Sequence, residues 1–160
     1  MPDPAPLIVI IAIDPGASGG IVWNEDGKVN AVKMPPSSLD IVTFLQRIAV
    51  KNRDAIVELH LESPATGGWG PAGLASIAKL FRMVGGLEYA GLMVGWKVNL
   101  VDPKKWQKAQ GFARAQGESK TAWKNRMKAK AEDLFPDLPV TLSTADALLI
   151  YNAAARGLLF

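Results

Sequence analysis

The sequence contains no cysteine and only one histidine. The lack of cysteine excludes disulfide bonds and thiolate metal sites, so a bound metal would need oxygen or nitrogen ligands. Residues 7–13 form the most apolar run near the start, and this run is too short to span a bilayer. It lacks a basic leader and ends in Asp14, so we do not interpret it as a signal peptide. We therefore expect a cytoplasmic protein with no membrane partner.

The remaining composition is that of a globular protein. The chain has 160 residues, of which 49% are hydrophobic and 21% charged, and we expect residues 1–160 to form a single domain. The net charge of +3 is unevenly distributed, since residues 97–130 hold ten basic and two acidic side chains, a net of +8. Such a concentration of positive charge favours a polyanionic partner, although a solvated basic helix would have the same composition.

The hydrophobic pattern predicts an α/β fold with the element order β-β-β-α-β-α-β-α-α-α. Residues 7–13, 19–23 and 27–34 are predicted to be three antiparallel strands, and residues 24–27 have a hairpin sequence. Two more strands alternate with helices, and the helix after residue 74 is expected to be interrupted at Gly85-Gly86. A meander followed by alternating helices and strands predicts a mixed five-stranded sheet with helices on both faces.

Three acidic residues are predicted to meet at one edge of this sheet. Asp14 ends an otherwise apolar strand, and a carboxylate there is costly unless it meets a cation or hydrogen-bond donors. Glu62 ends the fourth strand at the equivalent position, whereas Glu58 lies on the same face about 13 Å back and is the second choice. Asp146 opens the last helix. The alternatives are that Asp14 only caps a turn and that Asp146 forms a capping box with Ser143.

Three carboxylates on separate elements, without cysteine, are the ligands expected for Mg²⁺ or Mn²⁺. Such a site suits phosphodiester hydrolysis, because metal ions can activate water and stabilise the leaving oxygen without a nucleophilic side chain. The sequence has no GxxxxGK[ST], GxSxG or HExxH motif that would indicate another mechanism.

Several basic and aromatic residues are candidates for contact with nucleic acid. A basic turn around Trp106 is followed by a helix in which lysines recur every fourth residue, beside an apolar stripe that is expected to face the core. Trp69 stands among glycines in the loop after Glu62 and could stack on bases or cover an apolar patch. The predicted DNA-binding residues are Trp69, Lys104, Lys105, Lys108, Arg114, Lys120, Lys124 and Lys128.

Four segments in order resemble Holliday-junction resolvases of the RuvC type, especially their phage and organellar members. They are IAIDPG at residues 11–16, Glu62 with its following loop and glycine-containing helix, VDPKKW at 101–106, and ADALLI at 145–150. The resemblance implies an RNase H-like fold, a homodimer and two Mg²⁺ (or Mn²⁺) ions per active site. It also implies paired symmetric nicks in a four-way DNA junction. The short, cysteine-free chain favours a bacterial or phage-infected cell over an organelle.

The resemblance also assigns roles to individual residues. Asp14, Glu62 and Asp146 match the family's metal-binding acids, and Lys105 (or Lys108) and Lys120 lie near the positions of its catalytic lysines. Trp69 lies where an aromatic contacts the junction. One position departs from the family pattern, because Ser143 stands where a fourth acid or a histidine is usual.

Other functions fit the same residues. An RNase H-like nuclease acting on an RNA–DNA hybrid or on other branched DNA would need the same carboxylates, because a fold and a metal site do not determine the substrate. Ser143 instead favours a catalytically weak or inactive junction-binding protein. Cutting that depends on metal distinguishes the enzymes from the binding protein.

Overall fold

A computed structural model describes residues 6–64 and 73–159 of the chain. Five strands and five helices alternate along it in the predicted order. The strands are β1 (Ile8–Asp14), β2 (Gly20–Glu25), β3 (Lys28–Lys33), β4 (Ile56–Glu62) and β5 (Lys97–Val101). The helices are α1 (Ser38–Lys51), α2 (Leu74–Met93), α3 (Pro103–Ala109), α4 (Lys120–Leu134) and α5 (Ala145–Ala155).

The strands form one mixed sheet in the order β3-β2-β1-β4-β5. The first three strands are an antiparallel meander, and β4 and β5 add parallel to β1 on its other side. The turn between β2 and β3 places Asp26 at φ 51° and Gly27 at φ 74°, the left-handed conformation that a two-residue hairpin requires. The predicted mixed five-stranded sheet is therefore confirmed.

Helices cover both faces of the sheet, and the central strand β1 is apolar on both sides up to Asp14 at its end. One face packs against α1 and α2 through residues such as Ile11, Ile13 and Leu59. The opposite face packs against α3, α4 and α5, and its buried cluster includes Trp106, Met127 and most of α5. Helix α5 is buried almost throughout, with Leu148, Leu149 and Ile150 fully inaccessible to solvent.

One prediction about the helices was wrong. Helix α2 runs without interruption through Gly85 and Gly86, since packing of Val84 and Leu87 against the sheet outweighs the weak helical preference of glycine. Ser37 caps α1, because its side chain accepts a hydrogen bond from the Asp40 amide. None of the helices in the described ranges is long and apolar enough to cross a membrane.

The turn between β1 and β2 requires glycine at position 19. A Cβ added there would lie 1.9 Å from the Asp14 carbonyl oxygen and 3.3 Å from Cγ of the same residue. The Gly19 amide donates to Gly16 O over 3.0 Å, and its carbonyl accepts from Met34 N over 2.9 Å. The backbone at position 19 cannot move away from Asp14 without loss of these two hydrogen bonds. The close approach that Gly19 allows therefore holds Asp14 in its position.

We expect Gly19→Ala to destabilise the protein by about 2–4 kcal/mol, as overpacking against backbone does when nothing can yield. Thermal unfolding by circular dichroism measures the loss. Gly86→Ala is the matched control, because its Cβ would meet nothing within 4 Å, and it should stabilise α2 by about 0.5–1 kcal/mol. Equal melting temperatures for Gly19→Ala and the wild type would contradict the role given to this turn.

Candidate active site

The alternation of side chains along β1 and β4 directs two carboxylates to the α5 face of the sheet. Ile11 and Ile13 pack toward α1 and α2, so Asp14 at the strand end projects to the opposite side. The parallel register pairs Ile13 with Leu61, and one further step places Asp14 beside Glu62. Both acids thus stand at the carboxyl edge of adjacent central strands, where α/β sheets commonly carry their sites.

Asp146 enters the same place from the first turn of α5. It is buried, with 5% of its surface exposed, and the positive end of the helix dipole favours a carboxylate at this position. Thr144 is the N-cap and makes no side-chain cap hydrogen bond to the helix. The alternative capping box of Ser143 and Asp146 is therefore wrong. Ser143 lies against Gly20, whose added Cβ would approach the Ser143 carbonyl oxygen to 2.6 Å.

The three carboxylates repel one another in a poorly solvated environment. Burial, and then the charge of Asp146, raise the pKa of Asp14 to about 7 although Lys124 opposes the shift. Burial and the charge of Asp14 raise the pKa of Glu62 to about 8, against the effect of a hydrogen bond from Trp106. Burial and mutual repulsion thus favour the protonated form of both carboxyls near neutral pH, and such shifts are common at functional sites.

Trp106 holds Glu62 in place. Its ring is fully buried, and its indole Nε1 donates a 2.6 Å hydrogen bond to Glu62 Oε2. Helix α3 is fixed in turn, because Asp102 caps it at the Lys104 amide and Gln110 donates to Leu149 O on α5. In the sequence Trp106 was recognised only as an aromatic within a basic turn, and this role was not predicted. Its place five residues after the end of β5 was the available signal.

Lys124 is the basic residue that reaches the carboxylates. Its ammonium forms an ion pair with Asp146 Oδ2. Burial disfavours its charge, but Asp146, Asp14 and Glu62 outweigh that effect and raise the pKa of Lys124 above its usual value. Lys124 was predicted to lie on a DNA-binding stripe, and in the structure its ammonium lies against the acidic cluster.

Glu58, the alternative to Glu62, lies away from the cluster. It accepts a 2.8 Å hydrogen bond from Lys97 Nζ on β5, and this bond, foremost among several effects, lowers its pKa. The buried His60 lies beside it, with Nε2 3.5 Å from Glu58 Oε2. Burial lowers the pKa of His60, so we interpret this residue as a neutral structural histidine.

The other predicted basic residues lie outside the carboxylate cluster. Lys105 and Lys120 are exposed, and in the part of the chain that the structure describes no ion pair joins either to Asp14, Glu62 or Asp146. Arg114 donates to Glu118 O, and Lys128 pairs with Glu132. Lys104 and Lys108 are exposed on α3, and Trp69 lies outside the described residues.

The donor set fits a hard divalent cation by its chemistry. Carboxylate oxygens are the ligands that Mg²⁺ and Mn²⁺ prefer, and Asp146 Oδ1 is buried without a hydrogen-bond partner among the described atoms. As the side chains stand, no group of three acidic or histidine residues in ranges 6–64 and 73–159 is close enough to share an ion. Small side-chain rotations would therefore accompany binding.

Comparison with solved structures identifies the fold. RuvC from Thermus thermophilus in complex with a Holliday junction substrate matches with a TM-score of 0.60 and 16% identity, over 94% of this chain and 97% of that chain. A further Thermus thermophilus RuvC structure matches with a TM-score of 0.54 and 17% identity, over 93% and 96% of the two chains. No protein-family model and no curated protein sequence matches. The chain has the RNase H-like fold seen in RuvC, as its sequence motifs predicted.

The raised pKa values predict that the protein without metal loses stability as the pH rises. Asp14 and Glu62 bind protons more tightly when folded, so their contribution is complete below about pH 4 and is lost as the pH passes through about 7 and 8. Unfolding in EDTA between pH 7.5 and 9, a range above the ordinary pKa of histidine, should show a falling melting temperature. Saturating Mg²⁺ should largely remove that fall, and a pH-independent melting temperature in EDTA would contradict the account.

Proposed function

We propose that this protein is a metal-dependent endonuclease that resolves four-way DNA junctions by paired, symmetric cleavage. The observation that carries the proposal is the convergence of Asp14, Glu62 and Asp146 at one sheet edge, where burial and then charge repulsion raise the pKa of two of them. The fold and the four sequence motifs resembling RuvC-type resolvases support the junction as substrate.

In the proposed reaction the three carboxylates hold Mg²⁺ or Mn²⁺, and Trp106 orients Glu62 through its indole hydrogen bond. A divalent ion held by these residues would supply a nucleophilic water and would neutralise charge on the phosphodiester. Asp146 is fixed by the buried helix α5 and Asp14 by the glycine turn, so the ligands are positioned by rigid elements. Lys124 keeps a positive charge at the site.

The proposed DNA surface lies on α3 and the start of α4, beside the site. Within the described ranges no ion pair involves the exposed side chains of Lys104, Lys105, Lys108 and Lys120, which leaves their charges available to phosphates. Arg126 stacks 4.9 Å from the centre of the Trp123 ring and pairs with Glu118. We therefore assign Arg126 and Arg114 to holding the segment before α4 rather than to DNA contact.

Symmetric nicks require two active sites, so we propose a homodimer. An apolar groove between α1 and α2 supports self-association, with Ile41, Leu45 and Leu87 in its lining. The neighbouring end of α2 leaves Tyr89 and Met93 exposed. Light scattering on the purified protein measures the mass directly, and a monomer at the concentrations that cut junctions would contradict paired cleavage by a dimer.

The deciding experiment is cleavage of a labelled synthetic four-way junction, with linear duplex and an RNA–DNA hybrid run beside it, each in Mg²⁺, Mn²⁺ or EDTA. We expect paired nicks in the junction alone, which EDTA abolishes. Cutting of the hybrid alone would favour an RNase H-type enzyme. Tight junction binding without cutting in either metal would favour the binding protein that Ser143 suggests.

A further inference from the structure

Lys124 lies on the side of α4 that faces the acidic cluster, where a positive charge offsets the three carboxylates. Its neighbours Trp123 and Met127 are buried against the sheet, so the helix cannot rotate to turn Lys124 outward without exposing its apolar stripe. The ammonium pairs with Asp146 and interacts with Asp14 and Glu62. A basic side chain is thus placed among the same oxygens that would bind a metal ion.

The net charge of the acidic cluster limits how many metal ions it can bind. A bound metal ion displaces the protons of Asp14 and Glu62, so the three acids then carry three negative charges. Lys124 reduces the total to two, which one divalent ion neutralises. Ser143, three residues before Asp146, adds no charge. A second divalent ion would leave the site with excess positive charge, and the cations already bound would repel it. It would also compete with the Lys124 ammonium for the oxygens of Asp146.

From the ion pair at Asp146 and this charge count, we propose that Lys124 acts as a fixed second cation, so that the active site binds one divalent ion per chain. The inference rests on the proposed function, because it takes the three acids as a metal site. It departs from the two ions that resemblance to RuvC-type resolvases implies. The lysine thereby makes the fourth acid unnecessary, since the cluster needs less negative charge to balance one ion.

Calorimetric titration with Mn²⁺ at neutral pH tests the stoichiometry on the full chain without DNA, so the readout does not depend on activity. We expect one ion for the wild type and two for Lys124→Met, which removes the charge but retains the length of the side chain. Lys124→Arg should keep one ion. Lys128→Met is the matched control, because this lysine lies one turn further along α4 and pairs with Glu132, so it should also keep one.

Either two ions for the wild type or one ion for Lys124→Met would overturn the inference. Circular dichroism confirms that the variants are folded, and Lys124→Gln serves in the same way should the methionine variant fail to fold. Cleavage of the four-way junction is measured separately on the wild type. One bound ion without junction cleavage would refute the proposed function but would support the proposed stoichiometry. Metal-dependent junction cleavage with two bound ions would support the proposed function but would refute the stoichiometry.

Discussion

Asp14→Asn is expected to abolish junction cleavage while leaving junction binding intact. The variant removes one of three metal-binding carboxylates at a site where the ion supplies several kcal/mol of transition-state stabilisation. Since each ~1.4 kcal/mol changes a rate tenfold, we expect the cleavage rate to fall by about a thousandfold or more. Binding should persist, because the proposed DNA contacts are lysines on other elements.

The same substitution should stabilise the protein when no metal is present. The pKa of Asp14 is raised to about 7 by burial and by Asp146, so a neutral amide of the same shape relieves repulsion that the carboxylate suffers above that pH. A higher melting temperature in EDTA at pH 8, together with lost cleavage, would be the expected exchange of stability for function at an active site.

Glu58→Gln is the matched control for Asp14→Asn. It also neutralises an acid on the α5 face of the sheet, but Glu58 pairs with Lys97 rather than with the cluster. We expect nearly wild-type cleavage from this variant. Wild-type cleavage by Asp14→Asn, or loss of cleavage by Glu58→Gln alone, would show that the acids are wrongly assigned.

Trp106→Phe is expected to weaken metal binding about 10–100-fold, the usual effect of removing a group that orients a ligand. Phenylalanine retains most of the buried ring but cannot donate the 2.6 Å hydrogen bond to Glu62. That bond lowers the pKa of Glu62 against burial and neighbouring charge. Its loss should therefore raise the pKa further and shift the onset of Mn²⁺ binding to higher pH.

The pH dependence separates this positioning role from a merely structural one. Trp123→Phe removes an equally large buried indole from α4, where Trp123 packs against Phe112 and Arg126 rather than against a carboxylate. Both variants should lose stability, by about 1–3 kcal/mol. Only Trp106→Phe should shift the pH profile of Mn²⁺ affinity, and equal profiles for the two variants would contradict the role of the hydrogen bond.

Local sequence signals predicted most of the fold. The apolar run before Asp14 and the turn residues around Gly27 were enough to predict the meander, because strand period and hairpin chemistry are local properties. The prediction for α2 was wrong where a local preference at Gly85-Gly86 competed with tertiary packing, since burial of the flanking residues in the core contributes more than the propensity of two glycines costs.

The sequence by itself determined which acids stand at the ends of strands and at the start of α5, because strand alternation and chain order place Asp14, Glu62 and Asp146 without knowledge of packing. Only the tertiary structure decided what surrounds them. Lys120, Lys124 and Lys128 share one row of α4 in sequence, yet only Lys124 pairs with Asp146. The rotation of α4 about its axis and the position of the Trp106 side chain depend on how the helices pack against the sheet. Helix periodicity alone does not predict this packing.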